Sequence, residues 1–223
     1  QRWVLRPLSV PLSQLLLRAG VTPVGATFLG LGTGLAAAAW AARSGGALWA
    51  AAVVWHVAKV LDFADGNLAR ALKAKTVAGK MLDGLVDVIV DGAFLVAVGF
   101  VCGGWALPAA LASVWLAGLG AFARFRYLHF LAWLPVTDAA AGVGPAVVRT
   151  GNGGWAGAVR GITEVLERFD REATIAGLFV SLAVGHPELW VFGVSAIRGV
   201  VGVINTAGSI HLGARQLAVP RGH

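Results

Sequence analysis

The chain has 223 residues, 57% of them hydrophobic and 13% charged, with a mean hydropathy of +0.76. Soluble domains are about a quarter charged, so a water-soluble globule is excluded. The single cysteine, Cys102, excludes an intrachain disulfide and a zinc site built on thiolates, and the excess of basic over acidic groups, +7 in all, fits an anionic membrane surface better than nucleic acid at this apolar content.

The chain begins at Gln1 rather than Met, as a piece of a longer protein would. Residues 1–20 carry Arg2, Arg6 and Arg18 around Trp3, Leu5, Leu8, Leu12, Leu15 and Leu16, with Pro7 and Pro11 interrupting. This pattern predicts an amphipathic helix lying in the membrane interface. Residues 21–214 form the expected spanning domain and 215–223 a cytoplasmic tail.

A helix needs about 20 mostly apolar residues to cross the hydrocarbon core, and six stretches qualify: roughly 24–42, 47–64, 82–101, 105–130, the short 173–184, and 189–212. The expected fold is therefore an all-α integral membrane protein of six transmembrane helices preceded by the interfacial helix. Between the fourth and fifth spans, the Gly-rich 139–157 reads as a loop, and Trp155 to Phe169 reads as a surface-lying amphipathic helix. Six spans put both termini on one side. That side collects nearly all the Lys and Arg, while the opposite turns hold only Arg43, so termini and active site are expected in the cytoplasm, at the cell (inner) membrane.

Five of the eleven acidic residues fall between positions 62 and 91: Asp62, Asp65, Asp83, Asp87 and Asp91. On helices the 62/65 and 83/87 pairs each share a face. Carboxylates at the membrane boundary repel one another and need neutralising. Four convergent carboxylates without His or Cys are hard oxygen donors suited to Mg²⁺, Mn²⁺ or Ca²⁺. Gly66, Arg70, Lys73, Lys75, Thr76, Gly79 and Lys80 place small and cationic residues beside them, a mixture suited to a phosphate-bearing ligand. Phosphoryl-type chemistry at the cytoplasmic membrane surface is the expectation.

The run from Asp62 to Asp87 reads D-x-x-D-G-x-x-A-R-x(8)-G-x-x-x-D-x-x-x-D, with Asp62, Asp65, Gly66, Ala69, Arg70, Gly79, Asp83 and Asp87 at the fixed positions. In these residues the chain resembles the CDP-alcohol phosphotransferase family. The resemblance implies six transmembrane helices, a homodimer, and transfer of a phosphatidyl group from a CDP-alcohol, above all CDP-diacylglycerol, to a hydroxyl acceptor with release of CMP. It implies that Asp62, Asp65, Asp83 and Asp87 hold two divalent ions, Mg²⁺ or Mn²⁺, and that Asp87 is also the base. Gly66, Arg70 and Thr76 would bind the CDP moiety, and Ala69 and Gly79 would keep room for it. Thr22-Pro23 and Thr27 also fit the family pattern, but Val24 stands where the family often has Asn.

Arg198 inside the sixth span, with Arg124 and Arg126 at the end of the fourth, suggests a phosphorylated acceptor such as glycerol 3-phosphate or inositol phosphate. Asp91, one turn beyond Asp87, reads as the partner of a nearby cation. His56, His129 and His211 read as packing or interface residues. The competing readings are a carboxylate-lined, cation-coupled transporter and an intramembrane prenyltransferase, which the Gly66, Ala69 and Arg70 spacing disfavours. No nucleic-acid partner is expected, because the basic residues follow the membrane boundary.

Overall fold

The computed structural model describes residues 5–43, 47–74, 76–133, 165, 174 and 176–217. Every regular element among them is an α-helix: α1 (Leu5–Arg18), α2 (Pro23–Arg43), α3 (Leu48–Ala71), α4 (Val77–Cys102), α5 (Ala106–Trp133), α6 (176–184) and α7 (Pro187–Leu217). The amphipathic stretch read over 155–169 lies outside the described residues except for Val165, as do the first four residues and 218–223.

Local chemistry sets the boundaries. α1 runs through Pro11, where an interruption was expected, and Pro7 sits in the first turn, where a missing N–H leaves no bond unmade. α1 closes on Gly20 at φ +71°, with Val21 N donating to Leu16 O and Gly20 N to Leu17 O. This double closure needs a left-handed residue just past the helix, which glycine adopts without strain. α2 starts on Pro23, whose fixed φ suits a first helical position, and Thr22 Oγ1 accepts a hydrogen bond from Gly25 N at 3.1 Å. Thr76 caps α4 in the same way, accepting from Gly79 N at 2.9 Å.

The chain divides into two compact units, Gln1–Ala112 with Arg171–Ser195, and Ser113–Asp170 with Ala196–His223. In the first, α2 packs on α3 and α4, and α1 packs on α3. Its centre is aromatic: Trp55 is fully buried, stacks on Phe94 at 4.9 Å between centroids and meets Trp190 edge-on at 6.3 Å. Trp190 Nε1 donates to Thr174 O at 3.1 Å. Small residues let backbones approach. A Cβ on Gly34 would collide with Val90, and one on Gly99 would sit 3.0 Å from Ala106 O. The second unit repeats the device, with Gly120 and Gly202 meeting where any side chain would clash.

Six spans are expected from the sequence. Among the described residues, four helices are long and apolar enough to cross a bilayer: Pro23–Arg43, Met81–Cys102 within α4, Ala106–Ala123 within α5 and Pro187–Gly208 within α7. α3 has the length but carries Lys59, Asp62 and Asp65 in its midst, and the described part of α6 is too short. The charges that lower the apolarity of α3 are the ones that make it chemically interesting.

Candidate metal centre

α3 and α4 present the acidic residues to each other. One carboxylate oxygen each from Asp62, Asp65 and Asp83 lies within 4.8 Å of the other two. Three like charges held this close repel strongly unless a cation stands among them. The donors are all carboxylate oxygens, the set that hard divalent ions such as Mg²⁺ or Mn²⁺ prefer. The residues present therefore fit a divalent metal.

Asp65 is the buried member of the three. Thr27 on α2 donates from Oγ1 to Asp65 Oδ2 at 2.6 Å, which leaves Asp65 Oδ1 as the oxygen not taken by this bond. The cleft above is lined by Thr27, Gly30, Lys59, Asp62, Asp65 and Asp87 among others. Gly30 brings α2 close to α3, since a Cβ there would lie in ordinary van der Waals contact with Ala58 O and Leu61 at 3.7 Å. Val24, at the position where the family often has Asn, is exposed.

Asp87 behaves differently. Although it lines the same cleft, its Oδ1 lies 2.8 Å from Lys59 Nζ, and it is not one of the three clustered aspartates. Lys59 also contacts Asp91 Oδ1 at 2.6 Å. Three of the four expected aspartates thus come together, and the fourth is drawn to a buried lysine. Asp91 is the partner of a nearby cation, as its position one turn beyond the motif suggested. Lys59 itself went unread. The available signal was a lysine inside an apolar stretch, one turn before Asp62 and on its face of the helix.

Arg70, at the exposed end of α3, donates from its guanidinium to Asn67 Oδ1. Asn67 Nδ2 donates to Ser9 Oγ and Ser13 Oγ of α1, both at 3.1 Å. A polar relay therefore ties α1 to the arginine of the motif. Ser9, Ser13 and Asn67 also escaped the sequence reading, because isolated serines in an amphipathic helix look like its wet face. Gly66 leaves ordinary van der Waals space beneath Arg70, its missing Cβ being 3.7 Å from Nη1. Gly79 makes room within the protein: a Cβ would approach Thr76 Oγ1 to 3.0 Å and crowd the cap of α4. Thr76 is exposed and Ala69 half-buried. Arg124, Arg126 and Arg198 all belong to the second unit, on α5 and α7, and Arg198 is half-buried.

Comparison with known proteins gives a consistent result. The family model described as CDP-alcohol phosphatidyltransferase matches residues 21–151, more than half of the chain. A phosphatidylinositol phosphate synthase from Mycobacteroides abscessus is 39% identical over 83 residues. That stretch spans 37% of this chain and 37% of the relative, well under two thirds of its length. Among solved structures, the phosphatidylinositol phosphate synthase of Mycobacterium tuberculosis in complex with manganese and citrate aligns with a TM-score of 0.60 at 23% identity, covering 91% of this chain and 87% of that one. The structure of the same enzyme with CDP-DAG bound aligns at 0.56 and 21% identity, covering 97% and 99%. At these identities the likeness shows a shared fold, while the family match rests on the motif-bearing half of the sequence. The chain belongs to the CDP-alcohol phosphatidyltransferase family.

Proposed function

We propose that this protein is a phospholipid-synthesis enzyme that transfers the phosphatidyl group of CDP-diacylglycerol to a hydroxyl acceptor and releases CMP. The observation that carries the reading is the meeting of Asp62, Asp65 and Asp83 within 4.8 Å, with Asp87 lining the same cleft. The CDP-DAG complex of the M. tuberculosis enzyme supports the choice of donor, and its manganese complex supports a divalent ion.

In this reading Asp62, Asp65, Asp83 and Asp87 hold the metal, two ions of Mg²⁺ or Mn²⁺. When bound, it supplies positive charge to offset the donor pyrophosphate and the departing CMP. Arg70 binds the pyrophosphate through its guanidinium, and Gly66, Ala69, Thr76 and Gly79 shape the bed for the CDP moiety. Asp87 accepts the proton of the acceptor hydroxyl. The acceptor oxygen bonds to the lipid-bearing phosphorus, and the bond from that phosphorus to the CMP oxygen breaks. Positioning and fixed charge supply most of the rate. Arg124, Arg126 and Arg198 are assigned to a phosphate on the acceptor, which selects glycerol 3-phosphate or inositol phosphate over a neutral alcohol.

We further assign six transmembrane helices, α2 to α7, with α1 in the cytoplasmic interface of the cell membrane. Residues 21–214 form the spanning domain, and the enzyme works as a homodimer. Exposed Leu8, Val10, Leu15 and Leu17 on α1 support the interfacial placement, since the serines of the same helix turn toward α3.

The test is CMP release from labelled CDP-diacylglycerol by the purified protein in detergent, with Mg²⁺ or Mn²⁺ and with chelator. The acceptor panel is glycerol 3-phosphate, inositol phosphate, inositol, serine and choline. Metal-dependent CMP release with a phosphorylated acceptor is the expected result. No release with any acceptor would sink the reading and return the carboxylate cluster to a cation-coupled transporter. Asp87→Asn should abolish turnover while donor binding persists, and equal loss of both would refute the base assignment.

A further inference from the structure

Lys59 occupies a position where a spanning helix ordinarily carries an apolar residue. Its side chain is 10% exposed, its ammonium lies 5.8 Å from the centre of the Trp55 ring, and two carboxylates from successive turns of α4 grip it. Asp87 Oδ1 is 2.8 Å away and Asp91 Oδ1 is 2.6 Å away. The two carboxylates are unequal: the Asp87 side chain is 45% exposed and Asp91 only 18%. The charge of one lysine is therefore shared between a largely covered anion and a more exposed anion on the cleft. Asp62, Asp65 and Asp83 gather into one group, whereas Asp87 already has a covalently tethered cation beside it. A divalent ion that draws on Asp87 therefore meets the charge of that ammonium, which already holds Oδ1.

We propose that Lys59 is a positioning residue that holds Asp87 back from full commitment to the metal, with Asp91 setting how strongly Lys59 pulls. The inference rests on the assignment of Asp87 as the base that meets the acceptor hydroxyl. A carboxylate bound outright by metal is a poor proton acceptor, while one held by a fixed ammonium at the edge of the cluster stays oriented and accessible. Asp91 takes up part of the lysine charge, so Asp87 is restrained without being neutralised.

Two variants pull the system in opposite directions. Asp91→Asn leaves the whole Lys59 charge to Asp87. Lys59→Met combined with Asp91→Asn removes the buried cation together with its buried anion, which keeps the interior free of an unpaired charge. Each purified protein is titrated with Mn²⁺, with free ion followed by electron paramagnetic resonance, and assayed for CMP release. Asp91→Asn is expected to weaken Mn²⁺ binding, and the double variant to tighten it, each by about tenfold, the scale on which neighbours of metal ligands act. The double variant should also lose at least about tenfold in kcat with donor KM held within about twofold. General loosening of the fold cannot move metal affinity both ways. Mn²⁺ shifts of the same sign, no shift in either variant, or tighter binding with unaltered kcat would each overturn the proposal. A wild-type protein that releases no CMP would overturn the activity reading alone, and the paired Mn²⁺ titrations would still decide whether Lys59 competes for Asp87.

Discussion

The two halves of α3 do different work on one continuous backbone. From Leu48 to Ala58 the helix is held by apolar packing: Ala51, Ala52 and Trp55 are fully buried, and Trp55 lies against Phe94 and Trp190. From Lys59 to Ala71 the inward face carries Lys59, Asp62, Asp65 and Asn67, each spoken for by an ion pair, a hydrogen bond or the acidic cluster. The difference teaches where precision comes from. Carboxylates that repel one another cannot fix their own helix, so its register rests on the aromatic half together with Leu61, Ala64 and Leu68, which are buried between the charged residues. Changes in the first half should act on stability, and changes in the second on chemistry.

The largest expected effect falls in the charged half. Asp65→Asn keeps the shape of the side chain but removes one of three clustered negative charges. Turnover should fall by about 10³-fold, at the upper end of what loss of a single electrostatic contact costs an active site. The midpoint of thermal unfolding in detergent should hold or rise, because repulsion within the cluster is relieved. A matching drop in stability would mean that the second half is structural after all.

Next comes the aromatic half. Trp55→Ala should cost about 3 kcal/mol or more, as truncation of a fully buried aromatic does, measured by denaturant unfolding in micelles. Mn²⁺ affinity of the folded fraction should stay close to the wild-type value, because the Lys59 ammonium is held at 2.8 and 2.6 Å by Asp87 and Asp91 and meets the Trp55 ring only at 5.8 Å. Trp55 Nε1 is buried without a hydrogen-bond partner among the described residues. Trp55→Phe, which keeps a ring to stack on Phe94 and discards that N–H, should recover most of the loss. If Trp55→Ala instead weakens Mn²⁺ binding in protein that remains folded, the halves are not separable.

Much of this division was legible beforehand in particular residues. The Asp62 to Asp87 spacing marked the chemical half, and the apolar run before it marked the helix. What stayed hidden depended on which neighbour a side chain meets. Lys59 gives the same letter whether it reaches for lipid headgroups or turns inward to Asp87 and Asp91, and only the packing of α3 against α4 decides. Gly79 looked like room for a ligand, yet the atom a Cβ would crowd is Thr76 Oγ1. The charges that mark the site also kept α3 from the apolar content of a spanning helix, so the features that reveal the chemistry obscure the topology.

A smaller effect tests whether α1 belongs to the chemical half. Arg70 is held by Asn67, and Asn67 by Ser9 and Ser13. Asn67→Ala frees the guanidinium without removing it. Donor KM should rise by about fivefold, equivalent to about 1 kcal/mol for one lost side-chain hydrogen bond, with kcat little changed. Ser9→Ala with Ser13→Ala should reproduce part of that rise. An unchanged KM in both would leave the relay as packing alone.

The smallest effect concerns the last turn of α3. Lys73 has φ +51°, and around it Ala74 N donates to Ala69 O and Lys73 N to Arg70 O. This is the double closure that Gly20 makes after α1, here with a side chain in the left-handed region. Such a residue costs about 1 kcal/mol relative to glycine, so Lys73→Gly should stabilise the protein by roughly that amount. The substitution also removes a positive charge three residues from Arg70. Because Lys73 is exposed, salt and water screen that charge, and donor KM should stay within about twofold of wild type. A stability gain with unchanged KM assigns the strain to the turn. A stability gain with a several-fold rise in KM would extend the chemical half of α3 past its end, with a strained lysine kept in place because its charge reaches the anionic donor.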